Sequence, residues 1–250
     1  MGNDAQGYRK LFGVLGPSTN TIVQPEYEML TPRGVTNHMA RIPNKKRPPG
    51  DMDAYRASIR AGHDDLYPVI DQLVPAGLQL ILLGHSLESF AGGIKGATKM
   101  QTELTQHAKV CEVLVPSLAA HEALQALGAP KRIAILTPYQ VPGDEVADEF
   151  FSDAGYKVMK VKGLKCPTPL AIAAVTEDEV RKNIRELNGP DIDAIVQVGT
   201  NLPMLKVAAE AEFFLDKPVL SINLATYWKG LRHLGIKDRI QGLGRLMELY

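Results

Sequence analysis

Side chains able to move a proton or grip an anion fall in short segments that follow apolar runs. Gly84-His85-Ser86-Leu87-Glu88 comes directly after Leu80-Ile81-Leu82-Leu83 and brings an imidazole and a hydroxyl to the end of an expected strand. The ordinary pKa of histidine lies nearest neutrality, which suits His85 to general acid–base work; a loop histidine bonded to backbone is the alternative. Gly16-Pro17-Ser18-Thr19-Asn20 gathers hydroxyls, an amide and small residues whose N–H groups can surround a carboxylate or phosphate. A polar turn capping the next helix would use the same residues. Tyr139, in Thr137-Pro138-Tyr139, offers a phenol to a substrate anion, or packs as a half-buried tyrosine. Gly199-Thr200-Asn201 adds a further hydroxyl and amide, and Cys166, in Lys165-Cys166-Pro167-Thr168-Pro169, is the candidate thiol. Cys111 lies in an apolar run and reads as inert packing. The basic run Asn44-Lys45-Lys46-Arg47 reads as a solvated loop, with a lid as the alternative.

Other chemistries find less support. A serine after a strand in Gly-x-Ser-x-Gly marks a hydrolase elbow, but Glu88 stands where the last glycine belongs, and no His- and Gly-rich oxyanion loop precedes it. Ser86, Asp191 or Asp193, and His233 occur in hydrolase order, so this reading stays as an alternative. The histidines at 38, 63, 107, 121 and 233 show no ligand spacing, and no metal is expected. No Gly-x-Gly-x-x-Gly or Walker segment implies a nucleotide. The 28 Lys and Arg balance 28 Asp and Glu, which argues against a nucleic-acid partner. Two cysteines among 250 residues form no disulfide framework and fit a reducing cytoplasm. The start of the chain lacks a basic and apolar leader, and Leu78 to Leu83 falls far short of the ~20 residues that span a bilayer, so no membrane partner is expected.

The elements that position these residues alternate between short apolar runs and amphipathic stretches, the pattern of an α/β protein with parallel sheets covered on both faces. Strands are expected near 11–15, 79–83, 110–115, 132–136, 156–161, 194–198 and 218–222. Helical spacing covers 53–73, 91–109, 119–127, 145–154, 177–187, 204–214 and 225–234. The chain also repeats itself: Leu11–Pro17 parallels Arg132–Pro138, Leu80–Leu87 parallels Ile195–Leu202, and Val113–Ala120 parallels Val219–Thr226. Three matches in one order imply two similar lobes related by a pseudo-twofold axis. One lobe is expected over 1–118 plus 223–250, the other over 119–222, with the active site in the cleft where the strand ends face each other. Generic likeness between βα units is the alternative explanation of the repeat.

In these motifs the chain resembles the maleate isomerase and arylmalonate decarboxylase branch of the aspartate/glutamate racemase superfamily, over nearly its whole length. Gly13-Val14-Leu15-Gly16-Pro17-Ser18-Thr19-Asn20-Thr21 with Gln24-Pro25-Glu26 is similar to the opening carboxylate-binding loop of that branch. Thr137-Pro138-Tyr139 resembles its tyrosine turn, and Gly199-Thr200-Asn201-Leu202-Pro203 its second catalytic loop. The resemblance implies a cofactor-free enzyme with one or two catalytic cysteines in paired loops. The matching positions here are Gly84 and Gly199, so both thiols are absent. This disfavours racemisation and thiolate addition, and leaves chemistry through a stabilised enediolate, of decarboxylase, lyase or isomerase type. His85 and Tyr139 are then the candidate catalytic residues. Ser18, Asn20, Gly84, Ser86, Gly199, Thr200 and Asn201 are the candidate substrate-binding set, with Cys166 and Thr168 as further candidates. A small carboxylate is the expected substrate and a homo-oligomer the expected assembly; a catalytically silent carboxylate-binding protein is the alternative.

Overall fold

The computed structural model describes residues 4–43 and 62–250, and in it eight strands form two four-stranded sheets. The first holds β1 (Lys10–Pro17), β2 (Val35–Ile42), β3 (Leu80–Leu83) and β4 (Glu112–Leu114) in the order β2-β1-β3-β4. The second holds β5 (Arg132–Thr137), β6 (Lys157–Gly163), β7 (Ala194–Gln197) and β8 (Val219–Ser221) in the order β6-β5-β7-β8. Every pairing is parallel, and the second order is the first with each strand advanced by four. The repeat in the sequence is therefore a repeat of whole sheets.

Residue parity along each strand decides which core a side chain enters, because successive side chains point to opposite faces. Phe12, Val14, Leu80 and Leu82 of the first sheet and Ile133, Ile135, Val196 and Leu220 of the second face one shared central core. It also receives α5 (Pro116–Ala126) and α10 (Ile222–His233), which pack on each other, α10 also lying against β3. Leu11, Leu15, Ile81 and Leu83 face the outer layer of α2 (Tyr67–Leu73) and α4 (Gly93–Ala108). Ala134, Leu136 and Ile195 face α8 (Glu177–Leu187) and α9 (Leu205–Leu215). Both faces of each sheet are covered over its inner strands, so β1, β3, β5 and β7 read as continuous apolar runs. Phe90 of α3 (Leu87–Phe90) meets Phe150 of α6 (Val141–Asp153) edge-on at 4.9 Å between ring centroids, joining the lobes beside the strand ends.

Several boundaries differ from expectation. Strand β2 and helix α1 (Val23–Met29) carry no apolar run or long amphipathic pattern and were not anticipated. The helix expected over 91–109 starts instead at Gly93, after Gly92, whose φ of 81° lies in the left-handed region that favours glycine. Helices α5 and α10 begin at Pro116 and Ile222, three residues earlier than their apolar spacing suggests. Of the helix expected over 53–73, the described part contains only α2 after a run of turns; residues 53–61 and the basic run 44–50 lie outside the described residues. Among the described residues no helix is long and apolar enough to cross a membrane.

Candidate active site

The carboxyl ends of the two sheets meet, and the loops that leave them are joined by hydrogen bonds in a twofold pattern. Asn20, after β1, donates from Nδ2 to Thr200 Oγ1, after β7, at 3.0 Å. The equivalent loops, after β5 and β3, bring the Tyr139 and Ser86 hydroxyls to 3.0 Å from each other. Thr200 Oγ1 in turn donates to the Gly84 carbonyl at 2.9 Å. Thus Asn20, Ser86, Tyr139 and Thr200, predicted from four loops, converge beside Gly84 and Gly199. Asn201 fastens the same seam: its Oδ1 accepts from Thr21 N–H at 3.0 Å, and its Nδ2 donates to the Pro169 carbonyl at 2.8 Å.

Asn20 also serves as the turn cap anticipated as its alternative role. Its Oδ1 accepts the N–H groups of Ile22 and Val23 at 3.0 and 2.9 Å, which fixes the start of α1. Helix α1 then delivers Glu26, which the sequence singled out only within a family motif. Glu26 Oε1 accepts from the N–H groups of Met204 and Leu205, both at 2.9 Å, and Oε2 accepts from Asn223 Nδ2 at 2.7 Å. Burial pushes this carboxyl above its ordinary range, while those three donors pull it down. A carboxylate at the start of α9 is stabilised by the positive end of the helix dipole, and here it clamps one lobe to the other.

The two glycines are not equivalent. A side chain at Gly199 would start with its Cβ 2.6 Å from Pro138 Cδ and 3.5 Å from Tyr139 Oη, from a backbone φ of 116°. The Tyr139 hydroxyl stands at the space toward which a residue at 199 would project. At Gly84 a Cβ would lie 3.0 Å from the Leu15 carbonyl and 3.1 Å from Val23 Cγ2, a tight but less severe fit.

His85 turns its ring to Glu88, with Nε2 2.9 Å from Oε2; the histidine side chain is 28% exposed and the glutamate side chain 5%. The sequence reading used Glu88 only as a departure from a hydrolase elbow. Tyr139 is held from behind: its N–H donates to Thr137 Oγ1 at 3.0 Å, and that hydroxyl donates to Asp144. Burial raises the Asp144 carboxyl, opposed by Thr137 and by Lys165 Nζ at 3.6 Å. Ser18 is exposed and its N–H donates to the Ile42 carbonyl at 2.8 Å.

Cys166 lies against the tyrosine turn through its N–H, which donates to the Pro138 carbonyl at 3.0 Å; burial pushes its thiol up, away from the reactive thiolate. Thr168 accepts from Ala171 N–H at 3.1 Å and caps α7 (Pro169–Ala173). Cys111 just precedes β4, and burial pushes its thiol up to about 11. The hydrolase residues are not brought together. Asp193 precedes β7 and pairs with Arg132 at 2.6 Å, and His233 pairs with Glu112 at 3.1 Å, both at the amino ends of strands, whereas Ser86 follows a carboxyl end. No group of three or more His, Cys, Asp or Glu among the described residues could hold a metal ion.

Two parallel-sheet lobes whose strand ends face each other across small polar loops define a two-lobed α/β class with its site at the seam. A profile of the arylmalonate decarboxylase family matches residues 60–247, about three quarters of the chain, and the chain belongs to that family. A maleate isomerase of Pseudomonas putida is 25% identical over 94% of this chain and 96% of its own length. Among solved structures, a cysteine-to-serine variant of Nocardia farcinica maleate cis-trans isomerase, carrying a covalently bound succinylcysteine intermediate, superposes with a TM-score of 0.84 at 21% identity over 96% of this chain and 99% of that one. Arylmalonate decarboxylase gives a TM-score of 0.74 at 19% identity, covering 95% and 98%. These structural likenesses show the shared fold.

Proposed function

We propose that this chain is a cofactor-independent enzyme of lyase or isomerase type that acts on a small carboxylate or dicarboxylate through an enediolate, with decarboxylation of a substituted malonate as the best-supported reaction. The observation that carries this reading is the twofold pair of bonds, Asn20 to Thr200 and Ser86 to Tyr139, around two glycines. Hydroxyl and amide groups already oriented at a seam between lobes cost little reorganisation when negative charge develops beside them, which is how oxyanion sites accelerate reactions. A substrate carboxylate entering the seam would exchange these mutual bonds for bonds to its own oxygens.

In decarboxylation the bond between the α-carbon and one carboxylate breaks, carbon dioxide leaves, and the electron pair remains as an enediolate. Ser86 and Tyr139 stabilise its oxygens. Protonated His85 gives a proton to the α-carbon and recovers one from water. Isomerisation by addition to a double bond would need a thiolate, as the succinylcysteine of the Nocardia farcinica enzyme illustrates for that protein. Here Gly84 and Gly199 occupy the paired loops, and the Cys166 thiol is disfavoured as a thiolate by burial.

Turnover of phenylmalonate, other substituted malonates and maleate in the parent chain and two variants tests the reading. Malonate decarboxylation is expected, with a loss of about a hundredfold or more in His85→Ala and about tenfold or more in Tyr139→Phe. Tight calorimetric binding without product would overturn it in favour of a catalytically silent carboxylate-binding protein.

A further inference from the structure

Glu26 and Asn223 are buried polar side chains with no part in the reaction as described above, yet together they reach the backbone of Thr200, a candidate anion-binding residue. Asn223 lies in the first turn of α10. Its Nδ2 donates both to Glu26 Oε2 at 2.7 Å and to the Thr200 carbonyl at 3.0 Å, and its Oδ1 has no hydrogen-bond partner among the described residues. Two acceptors on one nitrogen set the orientation of the amide. Among the described residues the Glu26 carboxylate is bonded by three groups, all donors: this amide and the N–H groups of Met204 and Leu205. A single carboxylate on α1 therefore holds the loop after β7 at two points, directly at 204 and 205 and through Asn223 at Thr200. The other half holds its own glycine loop from the same position with serines. Ser117, which matches Asn223 in the repeat, donates from Oγ to the Ser89 carbonyl at 2.6 Å, and Ser89 Oγ donates to the Ser86 carbonyl at 2.8 Å. Leaving a buried acceptor without its donor is costly, so these bonds fix the backbone they meet.

We infer that Asn223, oriented by Glu26, is the positioning residue of Thr200: by holding the Thr200 carbonyl it sets the hydroxyl that meets Asn20 and grips the substrate carboxylate. This rests on the seam being the reaction site, and the test separates the two. In protein with 13C-labelled threonine methyl groups, the Thr200 signal is assigned by its loss in Thr200→Val. It is expected to shift in Asn223→Leu, which keeps the size of the side chain and removes its donor. Glu26→Gln, a near-isostere that keeps the fold if leucine does not, is expected to shift it too. There the two backbone N–H groups keep the glutamine oxygen, its nitrogen meets Asn223 Nδ2 donor to donor, and Asn223 turns over and leaves the Thr200 carbonyl. KM for phenylmalonate should rise at least about fivefold, with kcat within about threefold, in Thr200→Val, Asn223→Leu and Glu26→Gln, as loss of uniform anion binding requires. Adding Asn223→Leu to Thr200→Val should raise KM by no more than a further twofold or so, because the amide acts through that residue. A Thr200 signal unmoved in Asn223→Leu overturns the role of Asn223, and one unmoved in Glu26→Gln overturns that of Glu26, whatever turnover does. A KM that rises by the full product in the double variant also overturns the positioning role. Signals that move as expected while Thr200→Val leaves KM unchanged, or while the parent chain turns over none of the malonates, overturn the reading of the seam instead.

Discussion

At the scale of single residues, Gly199 separates this site from one that runs on a side chain at that position. Its φ of 116° is a region that L side chains rarely adopt, and a Cβ there would press on Pro138, which belongs to the same turn as Tyr139. Gly199→Ala is therefore expected to lower stability by at least about 2 kcal/mol, combining backbone strain with overpacking. Gly84→Ala, with no backbone penalty and closest approaches of 3.0 and 3.1 Å, is expected to cost about half as much. Urea unfolding midpoints of the two variants check the order. The residues of the seam were legible in the sequence because each follows an apolar run and is polar where a loop could have been anything. Their partners were not. The Asn20 bond to Thr200 joins positions 180 residues apart, and the clamp from Glu26 to α9 joins positions 178 and 179 apart.

At the scale of elements, the inner strands β1, β3, β5 and β7 were visible in the sequence because they are buried on both faces. Strand β2 escaped because Thr36, Asn37, His38 and Arg41 break its apolar character at a sheet edge, where it pairs with β1 alone. The internal repeat held the missing information, since β6 in the second half had no counterpart in the first until β2 supplied it. The amino ends of β5 and β7 are fastened by Asp193, which accepts from Arg132 through both N–H···O and guanidinium contacts at 2.6 to 3.1 Å. The guanidinium holds the Asp193 carboxyl down to about 2. A folded-state value below the unfolded value of about 3.9 means the pair stabilises the fold above that pH and the contribution is lost as pH falls from about 4 toward 2. Asp193→Asn is expected to flatten the stability curve over that interval and leave its shape near neutrality unchanged, as thermal melts across pH would show.

At the scale of the whole molecule, the repeated sheet explains why loops of both halves meet at one seam. Two sheets of the same strand order set their carboxyl ends toward each other, so equivalent loops from both lobes contribute to one place, where two bonds of 3.0 Å, Asn20 to Thr200 and Ser86 to Tyr139, join residues at non-equivalent positions of those loops. The halves have diverged where it matters for chemistry. His85 occupies the position that Thr200 holds in the other half, where the hydroxyl is committed to the Gly84 carbonyl. In the proposed reaction, proton transfer falls to one lobe and anion binding to both. Neither cysteine lies in the paired glycine loops, and both thiols are raised by burial. The central claim is carbon-acid chemistry at this seam without a thiol, and the direct measurement is turnover of phenylmalonate by the Cys111→Ser, Cys166→Ser double variant in heavy water. Carbon dioxide release within about twofold of the parent rate, with one deuterium at the α-carbon of the product, is the predicted result. Loss of turnover in a variant that keeps the parent fold would contradict it.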